Sequence, residues 1–219
     1  MISVLMCGGK GTRMYDATGV EKPLQKVKES TLIERVLHAL MSSRMFEKIV
    51  AITSVNTPRT TSFIHDLSYT YTEIEVMETA GHGFSRDLSA AVSCFKPARA
   101  FIVPADLPLL NAKTVQCIIA RCPASRPCVS ILLEKSFVEK LGITASVVVR
   151  SLGRTLYCHS GISVIDSSKL EAGFNLIEHY VVMNEIEIAF NVNTKRELGL
   201  SEHIIDNGGP NQGYLGPLH

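Results

Sequence analysis

Short runs of apolar and β-branched residues recur along the chain, separated by stretches whose apolar positions repeat every three or four residues. Runs at 2–7, 48–53, 73–77, 100–104 and 128–133 predict strands. Alternation of such strands with helical stretches is the pattern of a mostly parallel sheet covered by helices on both faces. After residue 133 the strand-like runs crowd together, at 145–150, 155–158, 161–165 and 186–191. Connections that short join antiparallel neighbours, so the sheet is expected to be mixed.

The helix beginning after Thr31 is the clearest local prediction. Thr31 and Glu34 form a capping box, and Leu32, Ile33, Val36, Leu37, Leu40 and Met41 trace one apolar face. Thr57 followed by Pro58 predicts a cap and a first helical position. Helices are also predicted at 85–94, 111–121 and 194–203, the last opened by a second capping box of Thr194 with Glu197. Residues 1–205 therefore read as one α/β domain. Residues 206–219 hold Gly208-Gly209-Pro210, Gly213 and Gly216-Pro217 without a periodic face, and read as a flexible tail. Ile204-Ile205 is open to two readings, a surface patch pairing two copies as a homodimer or side chains that pack on the core.

Composition narrows the class of partner. With 219 residues, 46% hydrophobic and 20% charged, the chain can bury a substantial core. Lys+Arg 22 against Asp+Glu 21 leaves a net charge of +1. Such a balance supplies no long-range field for a polyanion, which argues against nucleic acid as the main partner. No apolar run reaches the ~18 residues of a membrane span. The first residues lack the basic region and cleavage site of a secretory signal. The six cysteines are scattered with no C-x-x-C pair, and read as reduced thiols of a cytoplasmic protein.

Three segments carry candidate chemistry. The first is Leu5-Met6-Cys7-Gly8-Gly9-Lys10-Gly11-Thr12-Arg13-Met14, followed by Glu21-Lys22-Pro23-Leu24. Its glycines let backbone N–H groups approach a triphosphate, and Lys10, Arg13 and Lys22 bring three cations to the same place. It is not a Walker A loop, because Gly11 follows Lys10, nor a Rossmann fingerprint, because Met14 stands where the third glycine belongs. The bland alternative is a glycine turn with surface cations. The second segment, Phe101-Ile102-Val103-Pro104-Ala105-Asp106-Leu107-Pro108, places one carboxylate at the end of an apolar strand, where open α/β sheets bind ligands. Asp106 suits Mg²⁺ held mainly by phosphates and water, and would equally suit a turn cap before Pro108. In the third, Phe190-Asn191-Val192-Asn193-Thr194, two amides lie two residues apart and would project to one side of an extended backbone. Asn193 is a candidate metal or phosphate ligand, or simply a polar strand end before a helix cap.

Together these segments resemble the signature of the nucleoside-triphosphate transferases, the group of sugar-nucleotide pyrophosphorylases and of the guanylyltransferases of molybdopterin and cobinamide. That resemblance implies a Rossmann-like three-layer α/β/α sandwich of the nucleotide-diphospho-sugar transferase type, with Mg²⁺ on Asp106 and Asn193. It implies Lys10, Arg13, Lys22 and Asp106 as the catalytic set, and nucleotide contacts from Leu5, Gly8, Gly9, Gly11, Thr12, Glu78, Gly81, Asp87 and Asn191. In related enzymes the loop matching Glu78-Thr79-Ala80-Gly81-His82-Gly83-Phe84-Ser85-Arg86-Asp87 closes over the base. Glu78 and Asp87 are then the candidates for accepting the guanine N–H donors, although Asp87 equally suits a helix first turn. Many pyrophosphorylases place Asp where Asn193 stands, and guanylyltransferases often show Asn-x-Asn, so the nucleotide implied is GTP. With Ala-Gly-His-Gly-Phe-Ser-Arg-Asp-Leu and Ser-Gly-Ile-Ser-Val-Ile added, the set looks like the archaeal GTP:adenosylcobinamide-phosphate guanylyltransferases. Adenosylcobinamide phosphate is then the implied acceptor, with molybdopterin, phospholactate or a non-catalytic GTP sensor as alternatives. The acceptor is expected near His159-Ser160-Gly161, with Arg150 or Arg154 on its phosphate or merely exposed on a hairpin.

Overall fold

The computed structural model of the chain describes residues 1–94, 99–144, 148–150, 155–169 and 177–209. The first part runs β1 (Ile2–Met6), α1 (Thr12–Thr18), β2 (Lys26–Val27), β3 (Ser30–Thr31), α2 (Leu32–Ser43), β4 (Lys48–Ser54), α3 (Pro58–Thr70), β5 (Ile74–Thr79) and α4 (Phe84–Cys94). The second runs β6 (Arg99–Pro104), α5 (Ala112–Arg121), β7 (Cys128–Glu134), α6 (Lys135–Lys140), β8 (Val148–Arg150), β9 (Leu156–Asp166), β10 (Glu178–Val182), α7 (Ile186–Ala189) and α8 (Lys195–Asp206).

The main sheet has the order β10-β7-β9-β6-β1-β4-β5, with β8 paired to β9. Strands β6, β1, β4 and β5 are parallel, as is β10 with β7, and β9 runs antiparallel to both its neighbours β6 and β7. The sheet is therefore mixed and mostly parallel, as the strand spacing predicts. Strand alternation sends Leu5, Ile49, Ala51, Phe101 and Val103 into one core with α2, α3 and α5, and Ile2, Val4, Val50, Ile52 and Ile102 into another with Ala91 and Val92 of α4. Helices thus cover both faces, the three-layer arrangement expected. A smaller cluster of Met14, Val27, Leu32 and Val192 joins α1, the β2–β3 hairpin and the last loop. From β1 the chain steps outward to β4 and β5, then returns to β6 on the other side of β1. The strand order therefore reverses beside β1, and a crevice opens there at the strand C-termini.

The capping box at Thr31 forms as predicted: Thr31 Oγ1 accepts from Glu34 N, and the Glu34 carboxylate accepts from Thr31 N. Three local predictions change. Residues 186–191 are not a strand: Ile186–Ala189 form the single turn α7, and Ile188, Ala189 and Phe190 all enter one core, which consecutive strand residues cannot do. Runs 155–158 and 161–165 are one strand, β9, in which Gly161 at φ 87° lies beside a register shift against Ser130 and Leu132 of β7. The second capping box is half made: Thr194 caps Glu197 N, but the Glu197 carboxylate takes Asn193 N instead of Thr194 N.

Ile204 and Ile205 are partly buried and pack against the core clusters, which favours the second of their two readings. All six cysteines are free, with Cys94 exposed and Cys7, Cys122, Cys128 and Cys158 buried. Among the described residues no helix is long and apolar enough to cross a membrane. Arg154 and residues 210–219 lie outside the described residues, as do 145–147 of the predicted strand at 145–150.

Candidate active site

At the reversal beside β1, four loops meet. Cys7 N donates to Ile52 O of β4 and Ala105 N to Met6 O of β1, which sets the 7–11 loop between the ends of β4 and β6. Ser54 Oγ donates to Gly8 O at 2.7 Å. A Cβ on Gly8 would stand 3.0 Å from Ser54 Cβ, so the loop approaches β4 as closely as glycine allows. Gly11, at φ 54°, turns the chain into α1.

The charged centre lies across this loop. Lys22 Nζ donates to Asp106 Oδ2 at 2.5 Å and to Asn193 Oδ1 at 2.8 Å, with Lys22 and Asp106 only 15% and 16% exposed. Asn191 Nδ2 donates to the other carboxylate oxygen, Asp106 Oδ1, at 2.9 Å. Val192 N donates to Asp106 O, and Glu197 holds Asn193 N at 2.7 Å, so the 191–193 loop is fastened to β6 on one side and α8 on the other. Asp106 Oδ2 and Asn193 Oδ1 thus converge on one cation, here the lysine ammonium. Two hard oxygens aimed at one point suit a divalent ion completed by substrate phosphates and water.

Two adjoining clefts share Met6, Gly9 and Asp106. One, of about 280 Å³, is lined by Gly9, Gly11, Thr12, Arg13, Lys22, Asp106 and Asn193 among others. Its neighbour, about 400 Å³, is lined by Gly8, Lys10, Asn56, Gly81, His82, Phe84, Asp87 and Pro104. Lys10 and Arg13 are exposed, and among the described residues neither has an ion-pair or hydrogen-bond partner. Cys7 also lines the first cleft, but burial and then the Asp106 carboxylate push its thiol up, so it is a neutral wall.

A model of the MobA-like NTP transferase domain matches residues 3–166. The chain belongs to this family. It is 31% identical over 216 residues to an adenosylcobinamide-phosphate guanylyltransferase of Methanocaldococcus jannaschii, covering 95% of this chain and 100% of that one. A probable molybdenum cofactor guanylyltransferase of Thermococcus sibiricus is 28% identical over 131 residues, 60% of each chain. A hypothetical transferase structure from Thermus thermophilus shares the fold, with a TM-score of 0.67 at 14% identity, covering 90% of this chain and 98% of that one.

In this MobA-like transferase domain, most residues singled out from the sequence line one cleft or the other. Four need comment. Leu5 is fully buried in the main core, because strand alternation turns it away from the cleft that its neighbour Met6 lines. Glu78 is exposed near the end of the edge strand β5 and lines neither cleft. Asp87 lines the larger cleft, where its oxygens accept from His82 N at 3.3 Å and Gly83 N at 3.2 Å, ordering the glycine loop. Asn191 lines neither, but orients Asp106. Sequence reasoning gave no role to Asn56, Phe84 and Pro104, which are walls of the larger cleft; Phe84 and Pro104 lie in segments singled out for other residues, and nothing in the local pattern marks Asn56. The side chains of Arg150 and Arg154 lie outside the description.

Gly11 offers a test of the loop geometry. A Cβ there would meet Lys22 Cβ at 2.8 Å, on a backbone at φ 54° that disfavours L side chains. Gly11→Ala is expected to cost about 1–2 kcal/mol of stability by denaturant titration. It should also lower turnover at saturating substrate, because the added methyl pushes on the lysine stem. Unchanged stability and turnover would contradict the close packing of loop and lysine.

Proposed function

We propose that this chain transfers GMP from GTP to adenosylcobinamide phosphate, releasing pyrophosphate and forming a GDP-linked cobinamide. What carries the reading is the convergence of Lys22, Asp106, Asn191 and Asn193 at the head of the clefts, in a chain alike over 95% of its length to an enzyme of that name. An oxygen of the acceptor phosphate attacks the α-phosphorus, and the bond from that phosphorus to the bridging β-phosphate oxygen breaks. A phosphate monoester is already anionic near neutral pH, so no side-chain base is needed. The protein's work is in-line positioning and charge neutralisation.

Lys10, Arg13 and the loop amides face the β- and γ-phosphates, where their unpaired charge favours departure of pyrophosphate. Lys22 faces the α-phosphoryl group or the incoming phosphate. Asp106 and Asn193 would hold Mg²⁺, which when bound supplies positive charge to the phosphate oxygens. The larger cleft suits the nucleoside, with Asp87 closer to the base than Glu78. The partial likeness to a molybdenum cofactor guanylyltransferase makes molybdopterin the acceptor to test beside cobinamide. Pyrophosphate release measured with the four ribonucleoside triphosphates tests the nucleotide half. GTP should exceed ATP, CTP and UTP in kcat/KM by about 10²-fold or more, since a site built to pair a base's N–H groups rejects one that lacks them. Equal turnover with ATP would overturn the assignment to guanine.

A further inference from the structure

Glu21 lines neither of the two clefts, yet its carboxylate accepts three hydrogen bonds beside the site. It is 6% exposed. Its Oε1 accepts from Arg59 N at 2.9 Å, and its Oε2 accepts from Thr60 N at 2.7 Å and Thr60 Oγ1 at 2.6 Å. These are free amides in the first turn of α3, which a local residue would ordinarily cap. Thr57, the residue expected to do so, is occupied elsewhere: its hydroxyl accepts from Ser54 N and donates to Ser54 O. The helix is therefore capped by a carboxylate from 38 residues earlier in the chain.

That carboxylate sits one peptide from Lys22. At Glu21 the backbone is extended, φ −57° and ψ 138°, so the two side chains diverge, one into α3 and the other onto Asp106. Leu24 N donates to Glu21 O and closes the short 3-10 turn that carries Lys22. At the far end Gln25, also buried, donates to Thr18 Oγ1 and Val20 O, both at 2.7 Å. Without the Glu21 anchor, the lysine would hang from a loop held at one end.

We infer that Glu21 is a positioning residue, which fixes Lys22 by clamping its turn to the start of α3. The inference rests on the nucleotidyl-transfer reading above, in which Lys22 faces the reacting phosphates. The same clamp ties Lys22 to the turn at 54–57, whose Asn56 lines the larger cleft and whose Ser54 holds Gly8. One rigid corner therefore sets both the phosphate loop and the lysine.

The test compares Glu21→Ala, Glu21→Gln, Lys22→Ala and the double variant below their melting temperatures. Glu21→Ala should lower kcat about 10- to 100-fold with KM for GTP within about 3-fold, the signature of an interaction needed only in the transition state. Glu21→Gln, which keeps one acceptor oxygen but turns a donor NH2 toward one of the two α3 amides, should recover part of that loss. The double variant should be no slower than Lys22→Ala, because Glu21 acts through the lysine. Wild-type kcat in Glu21→Ala, or a double variant slower than Lys22→Ala by the full Glu21 factor, would overturn the proposal. A second readout does not need turnover: the ¹⁵N signal of the Lys22 ammonium, assigned by its loss in Lys22→Ala. In Glu21→Ala it should move to the position of solvent-exposed lysines; an unmoved signal would sink the inference. Were the wild-type chain to show no pyrophosphate release with any acceptor, the transferase reading would fail and this signal alone would decide the role of Glu21.

Discussion

Replacing Asp106 by alanine should lower turnover by about 10³-fold or more, some 4 kcal/mol of transition-state stabilisation. The carboxylate is the one acidic group at the meeting of both clefts, and its two oxygens face different partners, Lys22 and Asn191. Its removal takes the negative charge from the proposed metal position and frees Lys22 from its fixed place. The strand beneath, with Phe101, Ile102 and Val103 fully buried or nearly so, does not depend on it, so the variant should fold. Circular dichroism and a thermal midpoint within a few degrees of wild type would establish that, and pyrophosphate release would give the rate. A folded variant with near-normal turnover would remove Asp106 from the mechanism. Asp106→Asn keeps the shape and one acceptor but loses the charge. It should recover little.

Lys22→Ala should cost about 10²- to 10³-fold, chiefly in kcat, the magnitude typical of removing one preorganised group that meets developing charge. Arginine should not replace it. The lysine stem lies against Gly11, and its ammonium sits as a compact point charge between Asp106 Oδ2 and Asn193 Oδ1. A planar guanidinium, larger and forked, does not fit between those two oxygens. The informative comparison is of kcat with KM for GTP. A loss confined to KM would place Lys22 in ground-state binding of the nucleotide rather than at the reacting phosphates.

Strands β1, β4, β6 and β7 were legible because each is an apolar run that packs on both faces, and all four fall within a residue or so of their predicted bounds. The central charge cluster was legible too, because glycine spacing, a strand-end aspartate and paired asparagines are local patterns with a direct chemical meaning. What the sequence did not display was set by distant partners. β10 has no sequence signal of its own, since Glu178-His179-Tyr180 carries no apolar alternation and the strand is defined by its pairing with β7. The run 186–191 has the alternation of a strand in Ile186, Ile188 and Phe190, but the core takes Ile188, Ala189 and Phe190 in succession, from α7 and its C-cap. The roles of Glu21 and Glu197 were hidden for the same reason: each serves a backbone amide that sequence spacing alone does not assign to it. Leu5 shows the converse, a motif residue whose side chain the pleat sends into the core.

The most direct measurement follows the fate of the α-phosphorus. Under anaerobic conditions the chain would be incubated with Mg²⁺, GTP labelled at the α-phosphate and adenosylcobinamide phosphate, with molybdopterin and phospholactate as parallel acceptors. The products would then be separated and weighed by mass spectrometry. The expected result is label on the corrinoid at the mass of its GDP-linked form, one pyrophosphate released for each label transferred, and none on the other acceptors. Label that stays in GTP with every acceptor, or that moves to molybdopterin or phospholactate instead, would contradict it.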